Sequence, residues 1–351
     1  MVKTVLKRPE ELRQTIARVL ETAGAAPDKA EVVAAHLTDA DQCGVQTHGL
    51  LTMPTYIREI ADGNLLPHGE AEIVADDGNR VTVRGNWGFG QVSADFAMRV
   101  AIDRAREHGI ALIGLVRCNH IGRLGHYAEM AAAEGMVSQI CGSGYAVTGA
   151  RAAAYGGRDR VLDTNPICIG VPAARRPPFI LDFATTHGSA AKVVNAHRRG
   201  EQLPLGVIAD AEGKPTTNPA DFIDGGGTLS SFGGHKGSGI MLAMELLGRV
   251  LTGSDGHAQE GKGAFMMRHQ GVSFIVMKAD ALSPMADFDA RVEQTLDRVT
   301  GSQPAVGFDQ VLYPGLKEAM RREEWGRDGI PIPEDLWALF AKAADTVGVV
   351  I

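Results

Sequence analysis

The sequence predicts a mixed α/β protein in which N- and C-terminal helices share one lobe around a central sheet lobe. Three observations carry this. Leu12, Ile16, Val19 and Leu20 recur at helical spacing in the first fifth of the chain. AEIVADDGNRVTVRG alternates apolar and polar residues around Asp77-Gly78, a hairpin signal. ALIGLVRC, MVSQICGSG and GVSFIVMK are short apolar runs of strand length. At 351 residues, with 44% apolar and 22% charged, the chain has the composition of a globular protein and the length for two lobes.

Taken in order, Pro9 suits the first turn of a helix. Residues 24–27 break the pattern, and a second helix is expected from about Asp28 to Gln42, with Val32, Val33, His36 and Leu37 on one stripe. After the hairpin, Gly88-Phe89-Gly90 introduces an amphipathic helix reaching about His108. ALIGLVRC then reads as a buried strand, followed by a short helix ending near Gly135 and the strand MVSQICGSG, a local β-α-β order. Residues 136–232 do not continue it; they hold short strand-like runs such as PICIGVP and PFILDFAT between Gly, Pro and Asn. A long helix over GHKGSGIMLAMELLGRVLTG, the strand GVSFIVMK and a helical tail around Pro331 to Val347 complete the chain.

Several function classes are excluded at this level. The net charge of -7 argues against a nucleic-acid binder, which needs Lys and Arg to neutralise phosphates. No apolar stretch reaches the roughly 18–20 residues that span a bilayer, so no membrane partner is expected. The start, MVKTVLKRPEELRQ, lacks the uninterrupted apolar core of a secretion signal. Cys43, Cys118, Cys141 and Cys168 lie far apart with no CxxC pair, as expected of a reduced, cytoplasmic protein using cysteine as a small buried group. No metal site is expected, because His120 and His126 are not at the spacing of HExxH and no acid lies between them.

The nucleotide-fold motifs fail. GFGQVSA lacks a third glycine and follows a hairpin, and Gly256 to Lys262 has phosphate-loop spacing but ends in Gly263 rather than Ser or Thr. SFGGHKGSGIMLAMELL is stronger: a glycine-rich turn opening a long helix offers free N–H groups and a positive dipole end to an anion. Lys236 adds charge there and His235 a hydrogen bond; the alternative is a turn whose glycines only permit close packing. NHIGRLGHY places His120 at a strand end before a helix, where ligands and structural histidines both occur. In DTNP, Asn165-Pro166 fixes an extended approach and Thr164 presents a hydroxyl. Asp182 follows an apolar run in LDFATTHGSAAKV and suits either a helix cap or a ribose hydroxyl. QTHGLLTM sets His48 between Thr47 and Gly49.

In order, THGL with Pro54 and Tyr56, GFGQ, NHIGRLGHY, DTNP, DFATT with Lys192, GGHKGSG with Glu245, and YPG at 313–315 resemble the type-2 malate/L-lactate dehydrogenase family. The resemblance implies an NAD- or NADP-dependent oxidoreductase for a small 2-oxo/2-hydroxy acid or a related cyclic imine carboxylate. It further implies a homodimer and a non-Rossmann NAD(P)-binding sheet domain of 119–310 beside a substrate lobe of 1–118 with 311–351. His48 becomes the proton donor in reduction and acceptor in oxidation, oriented by Thr47, with Lys192 polarising the substrate oxygen. His120 is the competing proton carrier. The cofactor contacts fall on His120, Ile121, Gly122, Arg123 and Leu124, on Asp182, Phe183 and Ala184, on His235 and Lys236, and on Pro314 and Gly315.

The main departure is Thr52, which stands where many relatives carry an arginine gripping the substrate carboxylate; a hydroxyl cannot replace that planar fork. Substrate contacts are then expected from Thr52, Thr164 and Arg123, with Arg151 the other arginine available. A bulkier or less acidic substrate, or a catalytically silent NAD(P)-binding homologue, are the alternatives. His197, Arg198 and Arg199 offer either a site for a 2'-phosphate or a solvated basic face.

Overall fold

The computed structural model describes residues 3–351. Strand β1 (Thr4–Lys7) leads into α1 (Pro9–Thr22) and α2 (Pro27–Gln42), each opened by a proline whose missing N–H costs nothing there. Two single 3-10 turns, Gln46–His48 and Leu50–Thr52, run into α3 (Met53–Ala61). The hairpin forms as expected from β2 (Glu72–Asp77) and β3 (Arg80–Arg84), turning at Gly78 with φ 67°. Then come α4 (Gly90–His108), β4 (Ile110–Val116), α5 (Leu124–Ala133) and β5 (Met136–Ser143). The middle of the chain supplies α6 (Ala146–Gly149), β6 (Ile167–Val171), β7 (Phe179–Phe183) and α7 (Ala190–Arg199). A small three-stranded sheet follows, built from β8 (Ile208–Ala209), β9 (Pro215–Thr216) and β10 (Thr228–Leu229) around α8 (Pro219–Ile223). Helix α9 (His235–Glu245) continues through a π turn at Leu246–Val250, before β11 (Gly271–Lys278), α10 (Met285–Thr300), α11 (Leu316–Asp328), β12 (Ile330–Pro333) and α12 (Glu334–Asp345).

The main sheet has seven strands in the order β2-β3-β4-β11-β5-β6-β7. Only β3 and β4 pair in parallel; the other pairings are antiparallel. The local β-α-β order around α5 therefore does not make neighbours of β4 and β5. Strand β11, apolar enough to be buried on both faces around Phe274, is inserted antiparallel to both. Gly271 pairs with Val116 on one side and Ser143 on the other, so β4 and β5 end at the same sheet edge. Strand β6 begins there, with Ile167 opposite Cys141, and β7 ends there, with Phe183 opposite Ile167.

Three apolar cores underlie this. One joins the sheet to α4 and α5 through Met98, Leu115, Tyr127 and Phe274. A second joins α1, α2 and α3 to α12 through Ile16, Leu37, Leu50 and Phe340. The third, around Val193, Phe222 and Met241, holds α7 against α9 and the small sheet. Val81, Val83, Met98 and Leu115, before residue 118, pack in the core shared by the sheet, α4 and α5 and not in that of α1, α2, α3 and α12. Phe89 and Val92, at the start of α4, still reach back to the helical core.

The expected helical tail also begins differently. Ile330 and Ile332 are buried while Pro331 and Pro333 face outward, and the segment pairs with β1 as a two-stranded edge where proline is tolerated. Helices α10 and α11 were not expected: α10 carries Met285, Phe288, Val292, Leu296 and Val299 at helical spacing but buries only Glu293 and Leu296, and α11 buries none of its residues.

Phe274 is 0% exposed at the centre of the middle strand. Truncation to alanine is expected to lower stability by about 3–5 kcal/mol, read as a reduced urea midpoint.

Candidate active site

Two histidines from different cores meet at the sheet edge. The first 3-10 turn presents His48 and the end of β4 presents His120, with ring centroids 5.3 Å apart and planes inclined by 23°. Thr47 Oγ1 lies 3.1 Å from His48 Nδ1, as the orienting role requires. His120 has a stiffer partner. Gln91 Nε2 donates to Tyr56 Oη at 2.6 Å, and Tyr56 Oη lies 2.7 Å from His120 Nδ1. Burial pushes the phenol up to about 12, so it keeps its proton near pH 7.

Burial lowers His48 to about 4, helped by Arg123, and His120 to about 3, helped by His48 and Arg151. Both imidazoles are neutral near pH 7. Behind the His48 turn lies Asp41, fully buried, whose Oδ2 accepts from the Leu50 N–H at 2.7 Å; burial raises its pKa to about 8. The backbone at Gly49 comes so close to this carboxyl that a Cβ would collide with it.

The pair opens onto a cavity of about 600 Å³ whose wall is built from the strand-end loops. His48, Thr47, His120, Ile121, Gly122, Arg123 and Leu124 line it, as do Thr164, Asp182, Phe183, Ala184, Lys192, Pro314 and Gly315. The start of α7 faces it: Ser189 caps the helix by accepting from Lys192 N at 3.3 Å, and the Lys192 side chain is exposed. Asp182 acts as a cap, its Oδ2 accepting from Gly125 N at 2.7 Å at the start of α5. Asn165 departs from the extended form expected before proline, taking φ 32° while its Nδ2 donates to Met241 O at 3.0 Å.

Other expected residues are not brought in. Thr52 is absent from the wall, and its hydroxyl donates to Gly49 O at 2.8 Å. His235 and Lys236 are exposed at the start of α9, outside the cavity, with His235 edge-on to Tyr155. Arg123 lines the cavity, but its guanidinium is engaged by Asp39 at 2.8 Å and Glu129 at 3.0 Å. Arg322 braces the same carboxylates at 2.8 and 2.7 Å. Both bonds are made by Nη2, which ties Arg123 to α2 and α5, while its Nε has no partner among the described residues. Arg198 and Arg199 pair with Asp335, at 2.8 and 3.0 Å.

Three features escaped the sequence reading: the Gln91–Tyr56 relay, the Asp39–Glu129–Arg322 brace, and Asp163, which holds Arg151 through two hydrogen bonds of 2.7 and 2.6 Å. Tyr56, Gln91 and Asp163 each stood in a motif, the last two in GFGQ and DTNP, but no local pattern names the partner of any of them. Among the described residues no group of His, Cys, Asp or Glu could hold a metal, and no helix is long and apolar enough to cross a membrane.

The malate/L-lactate dehydrogenase family matches residues 8–340. The chain belongs to the malate/L-lactate dehydrogenase family. It is 34% identical over 350 residues to an L-lactate dehydrogenase of Cupriavidus necator, covering 97% of each chain. Its fold matches the sulfolactate dehydrogenase of Methanocaldococcus jannaschii with a TM-score of 0.86 at 30% identity, over 99% of this chain and 98% of that one. The Δ1-piperideine-2-carboxylate reductase of Pseudomonas syringae superposes with a TM-score of 0.82 at 27% identity, over 97% of this chain and 100% of the other.

A malate/L-lactate dehydrogenase family member is a nicotinamide-dependent oxidoreductase, and the cavity suits such a dinucleotide. The starts of α5 and α7 both open onto it, offering helix-end N–H groups for phosphate oxygens. Thr186 Oγ1, buried on the same wall, has no partner among the described residues.

The two lowered histidines set a pH dependence of stability. Above the unfolded value near 6.5 their contribution is fully present; below it the unfolded chain binds protons that the native imidazoles refuse until pH falls through about 4 to 3. The melting temperature is expected to fall steadily from pH 6.5 to pH 4, and a His48→Gln variant to show a shallower fall in the same calorimetric series.

Proposed function

We propose that the enzyme catalyses reversible oxidoreduction at C2 of a small 2-hydroxy/2-oxo acid, with His48 as the proton carrier. The observation that carries this is the unequal pair of histidines. Tyr56, itself held by Gln91, engages His120 Nδ1 at 2.7 Å, so only Nε2 of His120 is left for a substrate oxygen. His48 is partnered by a hydroxyl that can turn either way, donating to Nδ1 or accepting from it. Its ring can therefore change protonation without losing its hydrogen bond, which a general acid/base requires. The low pKa leaves His48 neutral and ready to accept the hydroxyl proton in the oxidation direction. When bound, the nicotinamide supplies or receives the hydride. Lys192, exposed on the opposite wall, would polarise the substrate oxygen.

Within this reading, the substrate lobe is the helical core that carries His48 and the cofactor lobe is a non-Rossmann sheet domain, its dinucleotide lying against strand-end loops of a largely antiparallel sheet. NAD is the expected cofactor over NADP, because Arg198 and Arg199 are already paired with Asp335 and stand off the cavity wall. The four buried free cysteines fit a reducing, cytoplasmic setting. A cyclic imine substrate is the second reading, supported by the likeness to the piperideine-carboxylate reductase; Lys192 weighs against it, since a lysine beside an iminium would repel it.

A homodimer is supported by the outer face of α9 and its π turn, where Leu242, Leu246 and Val250 recur at helical spacing, each about half exposed. A Leu246→Glu variant is expected to shift the protein from dimer to monomer in analytical ultracentrifugation.

The direct test combines binding and turnover. NADH is expected to raise the melting temperature, and the holoprotein to reduce a 2-oxo acid. In His48→Asn the thermal shift should persist while kcat drops about 10²–10⁴-fold. Retained turnover with lost nucleotide binding would transfer the proton role to His120.

A further inference from the structure

With Thr52 off the wall and Arg123 buried, its Nη2 shared by two carboxylates, the substrate's acid group needs a more open partner. Arg151 is the other arginine lining the cavity. It follows α6 in the loop beyond β5, and Asp163 approaches it from the segment leading into β6. Both loops converge because β5 ends and β6 begins at the same sheet edge.

The Arg151–Asp163 pair has a particular geometry. Asp163 is 0% exposed and accepts from Arg151 Nε at 2.7 Å and Nη2 at 2.6 Å. Asp163 Oδ1 also accepts from Thr164 N at 2.6 Å, which fixes the carboxylate. One edge of the guanidinium is therefore pinned. A guanidinium has five N–H donors, and Asp163 engages one at Nε and one at Nη2. Nη1 has no partner among the described residues, while the side chain keeps 29% of its surface, opening toward the cavity. Arg151 is close enough to His120 for its charge to add to the lowering that burial and His48 impose on that imidazole. Tyr145, buried on the same wall, senses both Arg151 and Asp163.

We propose that Arg151, held edge-on by Asp163, is the anion clamp of this enzyme: its free guanidinium edge takes the substrate carboxylate and sets C2 beside His48 and His120. This rests on the 2-oxo acid reading above. It gives a chain with threonine at position 52 a partner for the substrate carboxylate, supplied by the loop between β5 and β6 in place of the turn carrying His48. A guanidinium pinned on one edge is preorganised, so little side-chain entropy is lost when an anion binds the other.

Removing Arg151 alone would strand the buried Asp163 charge, so the decisive variant is the neutral pair Arg151→Gln with Asp163→Asn, accompanied by Arg151→Lys. The probe is oxamate, a non-reacting 2-oxo acid mimic, titrated calorimetrically into protein saturated with NADH. Unaltered protein is expected to bind it. The double variant should bind it about 10- to 100-fold more weakly, the range for charge-assisted hydrogen bonds, with its NADH affinity and NADH-induced thermal shift unchanged. Arg151→Lys should fall between the two, since it keeps the charge and loses the fork. Kinetically, KM for a 2-oxo acid should rise more than kcat falls, and the preference for the acid over its amide should collapse. Equal oxamate affinity in unaltered protein and double variant overturns the clamp, as does failure of NADH-loaded unaltered protein to bind oxamate. Failure of the underlying reading looks different: neither nucleotide binding nor turnover of any oxo acid in the unaltered protein.

Discussion

The pairing of β11 between β4 and β5 is the constraint on which the rest of the site depends. Because Gly271 registers against both Val116 and Ser143, two strands that are consecutive in the chain run the same way without touching. Their C-terminal ends emerge on either side of the start of β11 and deliver His120 and the loop carrying Arg151 to one edge. The antiparallel addition of β6 and β7 then brings Thr164 and the 182–184 segment to the same place. The close approach is built into residue size: a Cβ at Gly271 would collide with Thr252 Oγ1 and the Gly248 carbonyl on the helix packed behind it. In a doubly wound sheet a similar convergence comes from parallel strands; here an inserted antiparallel strand acts as a spacer.

Charge is handled in two ways around this edge. The imidazoles are kept neutral by burial and by nearby arginines, so they can exchange protons without a standing ion in a poorly solvated wall. The arginines themselves are each tied to carboxylates. Asp39 and Glu129 join Arg123 to Arg322, linking α2, α5, α11 and the loop beyond β4 in one network. Such a network adds little net stability once desolvation is counted. Its use is positional: it fixes the 120–124 loop, whose Gly122 (φ 76°) passes so close to His36 that a side chain there would clash.

Much of this was legible from residue order. The hairpin at Asp77-Gly78, the helix ending at His108, the strands 110–116 and 136–143, and the convergence of His48, His120, Asp182 and Lys192 follow from local patterns and ordered motifs. What escaped was non-local. Nothing near residues 110–143 says that residues 271–278 will lie between them, because strand pairing is decided by packing that a local window does not contain. The partnership of Arg151 with Asp163 and the Gln91–Tyr56–His120 relay are hidden for the same reason. His235 and Lys236 stand at a glycine-rich helix start, a pattern that carries no information on whether it faces this cavity, and they lie off its wall. Thr52, expected to face the substrate, turns its hydroxyl to the Gly49 carbonyl and is absent from the cavity wall.

The stacking of His48 on His120 joins two separately packed cores, and this bears on how the protein matures. The core that seats His48 is closed by Ile330, Ile332, Leu336 and Phe340, and by the pairing of β1 with β12. Those residues leave the ribosome long after His48 and His120 have both been made. The seat of His48 is therefore finished only once the C-terminal segment has folded back onto the first strand, while the sheet that carries His120 needs nothing beyond residue 278 for its seven strands.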